Sequence, residues 1–145
     1  MSKFKFGMQK ILDLKEKKRE QEEWNFAKLA RLIDEENKRL KELISYKDQL
    51  HQELFSSQTT GVSIIELNQS QSYIEHLNQV INIHIQKMNQ LQDSLLKKRE
   101  ELIEVKIDEK KFHKLREKKW KEYINENNHF EQRELDEMAN HLMYK

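Results

Sequence analysis

The sequence predicts an all-α chain, two long helices folded back on each other as an antiparallel coiled-coil hairpin, with the second helix longer and overhanging at its C-terminus. Three observations carry this. The 145 residues contain two glycines and no proline, so almost nothing interrupts a helix. Apolar residues recur with a period near 3.5 on both sides of one central break. Charged residues make up 37% and the apolar set 36%, against about 25% and 45–50% in ordinary globular domains. So little apolar surface suits a single seam better than a compact core. Disorder would go with a strong net charge, but here the net charge is +1 and large apolar residues occur throughout.

The first arm is predicted over about residues 2–56. Stepping alternately by four and three from Met8 passes through Leu12, Lys15, Arg19, Glu22, Phe26, Leu29, Ile33, Glu36, Leu40, Leu43, Lys47, Leu50 and Leu54. Nine of these fourteen positions are apolar, with a polar gap from Lys15 to Glu22. The break is Ser56-Ser57-Gln58-Thr59-Thr60-Gly61-Val62-Ser63, predicted as a loop over 57–62. Its small polar side chains compete for backbone hydrogen bonds, and Gly61 takes positive φ without a steric penalty.

The second arm is predicted over about 63–143. Ser63 and Glu66 have the spacing of a capping box, and Val62 can staple onto Leu67. The same stepping from Leu67 gives Ser70, Ile74, Leu77, Ile81, His84, Met88, Leu91, Leu95, Lys98, Leu102, Val105, Glu109 and Phe112, ten of fourteen being apolar. Reversal at the break pairs residue i with a partner near 120 − i. Leu54 then meets Leu67, Leu40 meets Val80 and Ile81, and Leu12 lies near Asp108 and Glu109. The stretch from about Trp120 to Lys145 is expected to overhang. The chain reads as one domain, 1–145, with fraying expected at Lys15 to Glu22 and beyond Trp120.

Charge is unevenly spread. Residues 1–19 hold seven basic and two acidic side chains, and residues 97–122 hold eleven and seven. Pairing brings these segments together with a local excess of about nine positive charges, which suits an acidic partner surface. An acidic stretch follows, with Glu126, Glu131, Glu134, Asp136 and Glu137.

Several chemistries are unexpected here. Two glycines cannot build a phosphate-cradling Walker loop. None of the six histidines pairs with another at three or four residues' spacing, so no metal site and no cofactor is expected. Two helices enclose no pocket that would tune a catalytic carboxylate, so the chain is expected to be non-enzymatic. A balance of 27 basic to 26 acidic residues argues against nucleic acid. No uncharged stretch approaches the roughly 18–20 apolar residues of a membrane span, and the N-terminus has no apolar signal core. With no cysteine, the chain reads as cytoplasmic. His84, inside the seam, is either a register-setting polar residue or an accessible one; Tyr46 and Tyr73, within reach of each other across the arms, either flank the seam or mark a contact surface.

The Phe4-x-Phe6 start running into Ile11-Leu12-Asp13-Leu14, the heptad arm, the Gly-containing break and the ending Glu131-Gln132-Arg133-Glu134-Leu135-Asp136-Glu137-Met138-Ala139 together resemble the flagellar export protein FliJ family over the whole chain. The Leu-Asp-Glu-x-Ala ending is the most specific part. The resemblance implies a stalk like the rotor coiled coil of rotary ATPases, inserted into the hexameric ring of the flagellar export ATPase and promoting its assembly and activity. Phe4, Phe6, Lys10, Arg116, Lys119 and Trp120 would supply the ring contact. It also implies binding to the cytoplasmic domain of the export-gate membrane protein through Leu43, Tyr46, Tyr73, Leu77, Val80 and His84. Arg39 and Leu50 depart from a Gln and a Tyr in the family pattern. Escort of export chaperones and a place at the inner face of the cell membrane, without insertion, are implied too. A self-associating scaffold and the equivalent stalk of a virulence-type secretion system are the competing readings.

Overall fold

The computed structural model describes residues 3–61 and 63–144, with the Thr59 side chain not described. It contains two long helices packed against each other, α1 (Gln9–Thr60) and α2 (Ile64–Met143), of 52 and 80 residues, and no strand among the described residues. The second helix is the longer one, as the sequence predicts.

Both ends of α1 differ from the prediction, for local reasons. Residues 3–8 lie outside the helix, which starts where the Gln9 N–H bonds the Phe6 carbonyl at 3.1 Å and the Leu12 N–H bonds the Met8 carbonyl at 2.9 Å. At the other end, residues 57–60 of the predicted 57–62 loop are helical. The Ser57 hydroxyl donates to the Glu53 carbonyl at 2.8 Å, and the Thr60 hydroxyl donates to the Ser57 carbonyl at 3.1 Å. These hydroxyls bond backward onto the preceding turn and leave the helix intact. The helix stops at Gly61, whose φ of +85° is the left-handed geometry that closes a helix C-terminus.

Ser63 caps α2. Its Oγ accepts from the Glu66 N–H at 3.2 Å and its carbonyl accepts from Leu67 N–H at 3.1 Å. The expected Val62 staple falls outside the described residues.

The chain forms two compact units, residues 3–22 with 102–144, and Glu23–Glu101. The first, here the terminal unit, buries Leu12, Leu102 and Glu109. The second, the loop unit, buries Ile74, Leu77, Ile81, Met88 and Glu36. All eight lie on the four-three stepping, so the periodicity identifies the packed stripe residue by residue.

Candidate functional site

In the terminal unit the polar gap closes through ion pairs. Lys15 Nζ meets Asp108 at 2.5 Å, and Arg19 Nε meets Glu109 Oε2 at 2.5 Å. Lys15 also lies over the Phe112 ring at 5.8 Å. The Lys15 ammonium holds the Asp108 carboxyl below its ordinary value. Lys15 and Arg19 thus do in this segment what Leu does elsewhere in the seam, bridging the helices with their long side chains.

The residues before α1 fold onto α2. Phe4 packs edge-on against Trp120 with centroids 5.1 Å apart and also meets Tyr123 at 5.5 Å. Trp120 and Tyr123 stack at 5.8 Å, and the Arg116 guanidinium sits 5.7 Å from the Phe4 ring. Arg116 Nε also donates to the Gln9 side-chain oxygen at 3.0 Å. Beside this cluster runs a groove of about 830 Å³, lined by Lys3, Phe6, Leu115, Lys119 and Tyr123 among others, reaching Glu126. The start of the overhang expected from Trp120 is thus flanked, as far as Glu126, by residues 3–8. These lie outside any helix and so are not confined to its rise of about 1.5 Å per residue.

The fold brings Phe4, Arg116 and Trp120 of the expected ring contact together, sets Phe6 and Lys119 along the groove, and leaves Lys10 exposed on α1. Trp120 remains 43% exposed despite its partners, so the cluster presents an aromatic face. Tyr123 belongs to it as well; its spacing of three from Trp120 was the available signal. Further along α2, Leu135, Met138 and Leu142 are exposed at 60–75%.

In the loop unit, Tyr46 and Tyr73 meet edge-on at 6.5 Å, and Tyr73 lies 6.5 Å from the His76 ring. Each tyrosine is nearly half exposed. The neighbouring Tyr73 hydroxyl pushes the Tyr46 phenol above its ordinary value. Leu43, Val80 and His84 are half-buried, whereas Leu77 is in the core. Leu50 lines a cleft with Leu54, Ser70 and Tyr73.

His84 has a definite partner. Its Nδ1 lies 3.3 Å from Glu36 Oε2, Lys87 Nζ donates to Glu36 Oε1 at 3.0 Å, and Arg39 stands 3.6 Å away. Lys87, then His84 and Arg39, hold the Glu36 carboxyl below its ordinary value against the opposing effect of burial. Glu36 interrupts the stepping in the sequence, and its partners lie 48 and 51 residues away.

A third cluster joins Glu16 of α1 to Glu109 and His113 of α2. Its same-helix pair is Glu and His, so the spacing of histidines in the sequence does not reveal it.

A family model described as Flagellar FliJ protein matches residues 4–145. The chain belongs to that family. It is also 28% identical over 137 residues to a protein named Flagellar FliJ protein from Bacillus subtilis (strain 168), covering 94% of this chain and 92% of that one. No solved structure matches. No described helix of this FliJ-family chain is long and apolar enough to cross a membrane.

Proposed function

We propose that this chain is a non-enzymatic component of the flagellar type III protein export apparatus that binds the export ATPase ring through its terminal unit and raises that enzyme's activity. FliJ-family membership supports the flagellar assignment. The observation that carries the contact surface is the aromatic and cationic cluster of Phe4, Arg116, Trp120 and Tyr123. It places an aromatic anchor and positive charge on one surface, the combination enriched at the centres of protein interfaces.

In this reading the loop unit offers Tyr46 and Tyr73, flanked by Leu43, Val80 and His84, to the cytoplasmic domain of the export-gate membrane protein. The chain then works in the cytoplasm, peripherally at the inner face of the membrane, and export chaperones are further partners. The ATPase assay decides the leading part. Adding the folded protein to the purified flagellar export ATPase is expected to stimulate hydrolysis, and Trp120→Ala to reduce the stimulation while helicity is retained. A folded wild-type protein that neither binds nor stimulates the ATPase overturns the reading.

The exposed Leu135, Met138 and Leu142 favour a second reading, self-association into a scaffold. Sedimentation separates the two: a monomer fits the stalk, and a stable dimer or polymer fits the scaffold.

A further inference from the structure

We infer that Glu16, Glu109 and His113 form a binding site for a divalent transition-metal cation, of the Zn²⁺ class, that clips α1 to α2 within the terminal unit. His113 Nε2 lies 3.2 Å from Glu109 Oε1 and 3.3 Å from Glu16 Oε1. The three ligand atoms all lie within 4.8 Å of one another. Zinc bonds of about 2.0–2.1 Å to His nitrogen and carboxylate oxygen put neighbouring tetrahedral ligands about 3.3–3.4 Å apart. The observed separations from His113 match that edge, so small side-chain movements suffice to seat an ion.

Three features distinguish this cluster from a solvated group of acids. Its donor set is mixed, one imidazole and two carboxylates, which favours Zn²⁺ and its neighbours over Mg²⁺ or Ca²⁺. Glu109 and His113 are four residues apart on one helix face, while Glu16 reaches across from the other helix. The base of the site is fixed: the Glu109 side chain is 8% exposed, and its second oxygen is held by Arg19 Nε. Arg19 thereby orients the first oxygen toward His113, the supporting role that groups outside the ligand set play in metal sites. The Glu16 and His113 side chains are 37% and 48% exposed, leaving a mouth through which an ion enters and water completes the coordination.

The cation would tie together the two helices where polar residues replace apolar ones in the seam. Because it binds the folded arrangement, it stabilises that arrangement by mass action. Without metal, the His113 ring nitrogen can form a hydrogen bond or ion pair with either carboxylate, and the test separates the two situations.

The experiment is Zn²⁺ titration of the full chain by calorimetry, with Co²⁺ absorption as a report of coordination geometry and thermal unfolding as a second readout. One Zn²⁺ per chain and a higher Tm are expected. His113→Ala and, separately, Glu16→Gln are expected to weaken binding about tenfold or more, roughly the effect of losing one ligand interaction. Circular dichroism checks that both variants remain helical. His129→Ala is expected to bind as the wild type does. Absence of saturable Zn²⁺ binding by the wild-type chain overturns the inference, and so does binding that neither His113→Ala nor Glu16→Gln weakens.

Discussion

Arg19 and Glu109 join α1 to α2 through a 2.5 Å contact between the guanidinium Nε and a carboxylate oxygen, with the Glu109 side chain 8% exposed. Removing the cation leaves that carboxylate in poor contact with water. Arg19→Ala is therefore expected to destabilise the fold by about 1–3 kcal/mol. Replacing both partners with apolar residues, as in Arg19→Met with Glu109→Leu, is expected to recover much of the loss. Denaturant unfolding of the single and double variants measures the difference.

Gly61 offers a backbone test. Its φ is +85°, and a Cβ placed there would meet nothing within 4 Å. The cost of Gly61→Ala is thus conformational and not steric crowding, expected at about 1–2 kcal/mol. Gly61→Asn is expected to cost less, because Asn tolerates the left-handed region better. Paired thermal melts of the two variants check the order.

Leu12 is 1% exposed and Leu135 60% exposed. Leu12→Ala is expected to cost about 2–5 kcal/mol, since it removes contacts and opens a cavity. Leu135→Ala is expected to stay within about 0.5 kcal/mol. Equal losses in chemical denaturation would contradict the burial assigned to these residues.

Acid sensitivity follows from Glu36 and Asp108. Their ordinary values are 4.5 and 3.8, and the folded chain holds both lower through Lys87 and Lys15 respectively. Folding thus favours the ionised carboxylates. Their stabilising contribution is complete above the unfolded values and is lost as pH falls through the lower folded ones. Stability is expected to fall below about pH 4.5, and Glu36→Gln to flatten part of that fall. Denaturation midpoints measured from pH 7 to 3 provide the comparison.

The apolar side of the fold was legible in the sequence because a coiled seam repeats a local rule. Leu12, Ile74, Leu77, Ile81, Met88 and Leu102 are buried where the stepping put them. The reversal was legible too, since Gly61 and Ser63 act through their own backbone or its near neighbours. The extent of the loop was not: the sequence shows that Ser57 and Thr60 can bond backbone, but not that they bond to the turn behind them. The polar positions were the least legible. Lys15 and Arg19 read as a gap until Asp108 and Glu109 stand opposite them, and Phe4 reads as part of a helix until it folds onto Trp120. Each depends on a partner about ninety residues or more away in the chain.

Glu36 has a consequence for how the loop unit chooses among alignments. A displacement of α2 by seven residues either way would keep most apolar positions facing apolar ones. It would also carry Glu36 from His84 and Lys87 toward Leu77 and Val80, or toward Leu91 and Ser94. A carboxylate there would lose His84 and Lys87 and keep only Arg39 of its own helix, a penalty for a buried charge in an apolar setting. One acidic side chain thus makes a zipper of interchangeable teeth close at a single notch.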